Sequence, residues 1–273
     1  LDLEKDLENK IKKSILKIKK KKCKLIAVPT TAGSGAEVTE NAVVYVDKIK
    51  YSLEDKIIKP DEFFIIPKLI IDCSRQIKSA AGFDAISQAL ESILSIKANS
   101  KSMQFAKKSL ELSLPSFINH VNRPTISNTE NMALAAHYSG KAISITKTTA
   151  PHAVSYPFTS HFGIKHGHAV SLTLNEFIKF NFLNQKYETN QSNLKKKYEF
   201  IFKITKTKNI SELDEYLKNL KKEAHLESNF LKLGINIKKN YQKILSGINF
   251  QRLKNNPIEL QISDIKSILL NKS

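Results

Sequence analysis

The spacing of hydrophobic residues changes once along this chain, near Asp72, and divides it into two parts. Apolar positions at helical spacing first predict an amphipathic helix over residues 3–20. Short apolar runs of strand type then follow at residues 24–29, 41–46 and 63–72. This mixture predicts that residues 1–72 belong to an α/β domain.

Helical spacing dominates the second part, residues 73–273. Apolar residues there recur every three or four positions, as on helices that bury one face. We predict helices at residues 80–96, 102–118, 128–143, 151–161 and 166–180, followed by several helices rich in lysine and leucine. The expected architecture is therefore a small α/β domain followed by a larger all-α helical-bundle domain.

The composition excludes several classes of protein. Hydrophobic residues make up 41% of the chain, which is enough for a packed core and too much for a disordered chain. No apolar run approaches the roughly 20 residues that a membrane-spanning helix requires. The two cysteines, Cys23 and Cys73, lie far apart without metal-ligand spacing, so we expect free thiols in a reducing, cytoplasmic setting.

The formal net charge of +18 comes almost entirely from lysine, because arginine occurs only at Arg75, Arg123 and Arg252. Proteins that bind nucleic acids usually employ arginine and place aromatic residues among the basic ones. We therefore expect the scattered lysines to lie on solvated helix faces, with no specific nucleic-acid partner. Their electric field favours anionic ligands, such as a nicotinamide dinucleotide or a phosphonate.

A loop rich in small residues and hydroxyls follows the first apolar run. It extends over residues 30–37, where Gly33 and Gly35 permit backbone conformations that larger residues do not. Closely spaced backbone N–H groups and hydroxyls suit a diphosphate or a ribose. A turn that is built from small residues for packing alone is the alternative interpretation.

Candidate metal ligands occur in two places. Asp84 and Gln88 are four residues apart on one predicted helix, so both side chains project from the same face. Four of the seven histidines lie close together further along the chain, at His152, His161, His166 and His168. A carboxylate joined by two imidazoles would suit Zn²⁺ or Fe²⁺. Solvated polar residues and hydrogen-bonded core histidines are the alternatives at these positions.

These stretches, in this order, resemble the iron-containing alcohol dehydrogenase family. Residues 29–37 match its PTTAGTGSE-like motif, residues 80–91 match A-x-G-x-D-A-x-x-H-A-x-E, and residues 152–167 match its histidine-rich segment. The resemblance implies the family's fold, which is dehydroquinate synthase-like, with a remnant of a Rossmann-like nucleotide-binding domain before an all-α metal and substrate domain. It also implies a homo-oligomer for the full-length protein.

The resemblance also assigns roles to individual residues. Those expected to contact a nicotinamide cofactor, NAD(H) or NADP(H), are Thr30, Thr31, Gly33, Ser34 and Lys50. Those expected to bind a divalent metal, Fe²⁺ or Zn²⁺, are Asp84, Gln88, His152 and His166. Gln88 stands where most members of the family have a histidine. An amide is a weaker ligand than imidazole for such a metal, so we expect weakened metal binding.

Other departures from the common pattern indicate one branch of the family. Tyr156 replaces the second histidine of the H-x-x-x-H pair, and the sequence around it is similar to that of hydroxyethylphosphonate dehydrogenases. This implies NAD(P)H-dependent reduction of a small anionic aldehyde, phosphonoacetaldehyde, to 2-hydroxyethylphosphonate. Lys147 and the two threonines after it are expected to hold the phosphonate, unless Lys147 extends into solvent. Tyr156 or His161 is expected to donate a hydrogen bond to the carbonyl oxygen.

One motif of the family is absent from this sequence, and two alternative functions stay open. The G-G-G-S phosphate loop does not occur, so we expect these 273 residues alone not to be a competent dehydrogenase. The first alternative is a general iron- or zinc-dependent alcohol dehydrogenase. The second is an inactive fragment that serves as a binding protein, with its lysines associating with polyanions.

Overall fold

The structure is a computed structural model that describes residues 2–13, 20–46, 49–188 and 193–270. Within these ranges short strands precede a large helical bundle, which confirms the predicted fold class. The strands are β1 Ile26–Ala27, β2 Asn41–Val46, β3 Ile49–Glu54 and β4 Glu62–Phe63. The helices are α1 Asp2–Lys12, α2 Arg75–Leu94, α3 Ser100–Asn122, α4 Ile126–Thr146, α5 Ala150–Phe162, α6 His166–Leu183, α7 Leu194–Thr205, α8 Ile210–Glu223, α9 Ile237–Ser246, α10 Phe250–Leu253 and α11 Ile262–Leu270.

The strands form two small sheets. β1 pairs in parallel with β4, and β2 pairs with β3 as an antiparallel hairpin in which Asn41 lies opposite Glu54. The strands predicted at 24–29 and 41–46 are confirmed, whereas β3 was not predicted. Residues 14–19 of the predicted first helix lie outside the described residues.

The strand prediction for residues 63–72 is wrong beyond Phe63. A short 3₁₀ helix at Pro67–Leu69 replaces the expected strand, and its first position is a proline. Proline fixes φ and has no backbone N–H to donate to a sheet, so it suits the first turn of a helix. Ile70, the residue after this 3₁₀ helix, is buried, whereas Leu69 within it is 50% exposed.

Helix α2 is the central element of the bundle. It begins at Arg75, earlier than predicted, because the Ser74 side chain accepts a hydrogen bond from the backbone N–H of Ile77. From Lys78 to Leu94 almost every residue is buried, since α3, α4 and α6 pack around it. A helix that is enclosed on all sides can hold polar side chains away from bulk water.

Two hydrophobic clusters hold the helices around α2. The first joins α2, α3 and α4 to α7 and α8, and the second joins α5 and α6 to α9 and α11. Helix α4 ends at Thr146, and α5 begins at Ala150. The end of α4 and the first turns of α5 and α6 line the cavity described below. Among the described residues no helix is both long and apolar enough to cross a membrane.

Candidate metal and substrate site

Three of the four predicted metal ligands meet at the centre of the bundle. Asp84 on α2, His152 on α5 and His166 at the start of α6 each offer a ligand atom, and these atoms lie within 4.8 Å of one another. Gly167 makes this approach possible. A Cβ atom at Gly167 would lie 2.0 Å from the carbonyl oxygen of Ala80 and 2.7 Å from Cβ of Asp84.

The imidazole of His152 lies between two carboxylates. Its Nε2 is 3.2 Å from Oδ1 of Asp84, and its Nδ1 is 2.5 Å from Oε1 of Glu91. Burial lowers the pKa of His152, but the negative charges of Glu91 and Asp84 outweigh this effect and raise the pKa to about 9. Without a metal, the ring is therefore protonated at neutral pH.

Glu91 is a functional residue to which the sequence analysis assigned no role. Its Oε2 accepts hydrogen bonds from the backbone N–H of Thr149 at 2.7 Å and from the Thr149 hydroxyl at 3.0 Å. Its other oxygen contacts His152, so Glu91 orients a candidate ligand from behind, as carboxylates do in many metal sites. The sequence did contain an indication of this role, because Glu91 lies three residues after Gln88 and therefore on the same helix face.

Gln88 lies beside the three candidate ligands, with both the nitrogen and the oxygen of its amide already engaged. Its Nε2 donates to Oδ2 of Asp84 at 3.1 Å, and its Oε1 accepts from the Ser139 hydroxyl at 2.9 Å. Gln88 therefore orients Asp84. The converging carboxylate and two imidazoles fit a divalent metal such as Fe²⁺ or Zn²⁺ without a fourth protein ligand.

A cavity of about 430 Å³ opens directly onto this centre. The predicted residues that line it are Ser34, Lys147, Thr148, Tyr156 and the four proposed metal-site residues. Thr149, also expected to hold the phosphonate, does not line it, and its hydroxyl donates to Glu91 instead. An adjoining cavity of about 230 Å³ is lined by Thr31, Gly33 and Ser34, together with Asp84 and His166. The small-residue loop and the metal centre thus share walls, as expected for a cofactor and a substrate that must meet.

Thr30 and Lys50 were also predicted to bind the cofactor. Thr30 lines neither cavity, and its carbonyl oxygen accepts a hydrogen bond from Sγ of Cys73 at 3.3 Å. The backbone of Lys50 lies in β3 opposite Tyr45, while its side chain lies outside the described residues. The loop is held close to the bundle because Gly33 packs against Ala81, where a Cβ would have a contact of 2.9 Å.

The two predicted hydrogen-bond donors of α5 lie on different faces. Tyr156 is four residues after His152, and it lines the main cavity. His161 is nine residues after His152, which rotates it by about 180° on a helix, and it lies exposed on the last turn of α5. The structure therefore does not bring His161 into the cavity.

Burial raises the pKa of Tyr156, although the positive charge of Arg252 lowers it and the carboxylates of Glu91 and Asp84 raise it again. The net effect is a raised pKa, so the phenol remains protonated at neutral pH. It can therefore donate a hydrogen bond into the cavity.

Two cations, Lys147 and Arg252, form a cationic corner in the wall of the same cavity. Lys147 follows α4 with a φ of 59° and a ψ of 176°, a backbone conformation that is unfavourable for any residue except glycine. Its Nζ is 3.1 Å from Oε2 of Glu54. Arg252 lies beside it on α10, and its Nη1 donates to Oγ1 of Thr148 at 3.2 Å. Arg252 and Glu54 were not predicted, although an arginine is conspicuous in a chain whose basic residues are nearly all lysine.

Comparison with known proteins gives matches along nearly the whole chain. Residues 78–273 match the family description "Fe-containing alcohol dehydrogenase family, C-terminal", and residues 2–67 match "Iron-containing alcohol dehydrogenase". Phosphonoacetaldehyde reductase of Streptomyces viridochromogenes is 32% identical over 162 residues, covering 58% of this chain and 41% of that protein. The 1-propanol dehydrogenase PduQ of Salmonella typhimurium is 31% identical over 159 residues, covering 57% and 43%.

Solved structures show the same fold. The sulfoacetaldehyde reductase of Bifidobacterium kashiwanohense, solved in complex with NAD⁺, superposes with a TM-score of 0.82 at 26% identity. The match covers 92% of this chain and 65% of that one. The chain spans less than half the length of the curated relatives above. Because the family descriptions match most of its residues, the chain belongs to the iron-containing alcohol dehydrogenase family.

Proposed function

We propose that the full-length protein reduces a small aldehyde with NAD(P)H, and that phosphonoacetaldehyde is its substrate, with 2-hydroxyethylphosphonate as the product. The observation that carries this proposal is the shared wall of the two cavities. Ser34, Asp84 and His166 line both, so a nicotinamide beside the loop would lie next to a carbonyl group at the metal centre. That proximity is what hydride transfer requires.

The residues of this chain would perform distinct tasks in the reaction. Asp84, His152 and His166 would hold Fe²⁺ or Zn²⁺, which when bound supplies Lewis acidity at the carbonyl oxygen, as NAD(P)H supplies hydride. Glu91 keeps His152 in the required orientation. Tyr156 donates a hydrogen bond to the developing alkoxide, which its raised pKa allows at neutral pH.

The cationic corner supports an anionic substrate. Lys147 and Arg252 line the same cavity as the metal-site residues, and Thr148 adds a hydroxyl group. Ammonium and guanidinium groups with a hydroxyl are suitable donors for the oxygens of a phosphonate. The names of two relatives, phosphonoacetaldehyde reductase and sulfoacetaldehyde reductase, likewise denote acetaldehydes that carry an acid group.

We also propose a domain boundary, a cellular location and an oligomeric state for the protein. The family matches at 2–67 and 78–273 lie on either side of Asp72, which supports a domain boundary there. The free thiols of Cys23 and Cys73 are compatible with a reducing compartment, so we retain a cytoplasmic location. We also retain a homo-oligomer for the full-length protein.

An assay of NADH and NADPH oxidation by the full-length protein tests the proposed activity. Phosphonoacetaldehyde, sulfoacetaldehyde and propionaldehyde are compared as substrates, with Asp84→Asn as the inactive variant and exposed Asp6→Asn as its control. Turnover that prefers phosphonoacetaldehyde and is lost in Asp84→Asn is the expected result. Equal turnover of propionaldehyde would favour a general alcohol dehydrogenase, which the likeness to 1-propanol dehydrogenase keeps as the second candidate. No turnover of any aldehyde would contradict both.

A further inference from the structure

A carboxylate of the protein itself occupies the cationic corner of the cavity. Glu54 is the last residue of β3, and its Oε2 lies 3.1 Å from Nζ of Lys147. Its other oxygen, Oε1, lies 3.9 Å from Nη2 of Arg252. The two oxygens of one carboxylate therefore face the two cations, as the oxygens of a bound acid group would.

The two cations are held more firmly than the carboxylate. The side chain of Arg252 is 15% exposed and that of Lys147 is 29% exposed, whereas that of Glu54 is 45% exposed. Arg252 is fixed by its hydrogen bond to Thr148, whose carbonyl oxygen accepts from Nδ2 of Asn255 at 3.1 Å. Glu54 projects from the β2–β3 hairpin, which forms the opposite wall of the cavity.

The backbone of Lys147 indicates that this cation is positioned for a purpose other than stability. Thr146 and Thr149 fix the strained segment from both sides, since Thr146 Oγ1 donates to the carbonyl oxygen of Lys147 at 2.9 Å and Glu91 accepts from Thr149. An unfavourable backbone conformation that the surroundings enforce is common at ligand sites. An ion pair with a half-exposed carboxylate contributes too little to require it.

We infer that Glu54 is an internal counterion for an acid-group subsite formed by Lys147, Thr148 and Arg252, and that the acid group of the substrate displaces it. The inference rests on the proposed function for the identity of that substrate, an aldehyde with a phosphonate or sulfonate group. The displaced ion pairs are weak because they are partly solvated. A phosphonate dianion has more charge and more acceptor oxygens than a carboxylate, so it competes successfully.

The counterion affects selectivity as well as affinity. A neutral aldehyde leaves Glu54 in place and gains nothing from the two cations. When a dianion binds, the two cations exchange the Glu54 carboxylate for a stronger partner. A monoanion is a weaker partner for the same two cations. Glu54 is therefore a specificity-determining residue that weakens the binding of acid-bearing aldehydes relative to neutral ones.

Calorimetric titration of the full-length protein tests this inference without requiring turnover. The probes are 2-hydroxyethylphosphonate as dianion, 2-hydroxyethanesulfonate as monoanion and 1-propanol as the neutral compound. Glu54→Gln is expected to lower the dissociation constant for the phosphonate about three- to tenfold, because two partly exposed ion pairs no longer compete. Arg252→Met is expected to raise it about 10- to 100-fold. The matched controls are Glu62→Gln, which removes a half-exposed carboxylate paired with Lys24, and Arg123→Met.

The outcomes separate this inference from the proposed function. Tighter phosphonate binding by Glu54→Gln but not by Glu62→Gln supports the counterion role, even if no aldehyde is reduced. Unchanged or weaker phosphonate binding by Glu54→Gln overturns it, even if the enzyme is active. A kinetic readout gives the same distinction, since the ratio of kcat/KM for phosphonoacetaldehyde to that for propionaldehyde should rise in Glu54→Gln and fall in Arg252→Met.

Discussion

The carboxylate of Glu91 lies 2.5 Å from Nδ1 of His152 and so determines which ring nitrogen faces Asp84. An ionised carboxylate only accepts hydrogen bonds, so Nδ1 must carry a proton. When the ring is neutral, Nε2 therefore has its lone pair directed towards the metal centre. The same carboxylate accepts two hydrogen bonds from Thr149, which connects the metal centre to the segment that carries Lys147.

We expect Glu91→Gln to weaken metal binding about 10- to 100-fold, the usual effect of altering a residue that orients a metal ligand. The glutamine oxygen would remain with Thr149, so its amide would donate to Nδ1 of His152. The neutral ring would then carry its proton on Nε2, where it cannot bind a metal. Competition titration with a zinc indicator dye measures the affinity.

Glu111→Gln is the matched control for this change, because Glu111 is an exposed carboxylate on α3 paired with Lys107. Its zinc affinity should equal that of the wild type. If Glu91→Gln kept wild-type zinc affinity while remaining folded, the orienting role of Glu91 would be rejected.

Gly167→Ala should separate α6 from α2 and weaken the metal site. The added Cβ would be 2.0 Å from the carbonyl oxygen of Ala80, so the first turn of α6 must move and carry His166 away from Asp84. Overpacking of this kind costs about 1–3 kcal/mol of the free energy of unfolding. Urea denaturation measures that loss, and the zinc titration measures the loss of affinity.

Gly163→Ala separates this effect from a general loss of stability. Gly163 has a φ of 68°, so alanine is strained there, but no atom lies within 4 Å of the added Cβ. We expect this variant to lose about 1 kcal/mol of stability and to keep its zinc affinity. Equal zinc affinities in the two glycine variants would show that close packing at Gly167 does not position His166.

Local sequence patterns predicted the helices of the bundle and the chemical character of the site. Asp84 and Gln88 share a face because four residues span slightly more than one turn, and the same spacing relates His152 to Tyr156. His161 was wrongly expected in the cavity, because nine residues place it on the opposite face. The family resemblance, rather than spacing, indicated that α2, α5 and α6 converge.

Contacts between distant segments were beyond the reach of these patterns. Glu54 and Arg252 are almost two hundred residues apart, and neither carries a local signal for the other. The hairpin that brings Glu54 to the cavity depends on β3. Its residues alternate strictly between apolar and polar, so the pattern of a strand was present in the sequence but was not recognised. The apolar run before Asp72 was mistaken for a strand because a short apolar run does not by itself distinguish a strand from a helical turn, here the 3₁₀ helix Pro67–Leu69.

The buried imidazole of His120 is expected to make the protein less stable in mild acid. Burial, helped by the positive charge of Lys78, lowers its pKa from 6.5 to about 4, and Nδ1 is 3.1 Å from Oγ1 of Thr129. Above pH 6.5 the ring is neutral in both the folded and unfolded states. As the pH falls towards 4, the unfolded chain binds the proton first, so the protein loses up to about 3 kcal/mol of stability.

His120→Gln should remove this part of the pH dependence, because glutamine does not titrate. The measurement compares urea midpoints of wild type and variant at pH 7 and at pH 4.5, with exposed His225→Gln as the control. The midpoint of His120→Gln should fall less than the wild-type midpoint. Equal falls in all three proteins would contradict the assignment of acid sensitivity to His120.

Lys147 offers a test of whether backbone strain is maintained for ligand binding. Its φ of 59° and ψ of 176° are favourable only for glycine, and such a conformation costs about 1–3 kcal/mol in other residues. Lys147→Ala and Lys147→Gly both remove the ammonium group, so they lose the ion pair with Glu54 equally. They differ in the strain, which only the glycine relieves.

Allowing for the extra flexibility of glycine in the unfolded chain, we expect Lys147→Gly to be about 1 kcal/mol more stable than Lys147→Ala. Thermal unfolding should show a Tm about 2–4 °C higher for the glycine variant, while both variants bind 2-hydroxyethylphosphonate more weakly than the wild type. A glycine variant no more stable than the alanine variant would mean that the backbone at this position is not strained, and the enforced placement of Lys147 would lose its support.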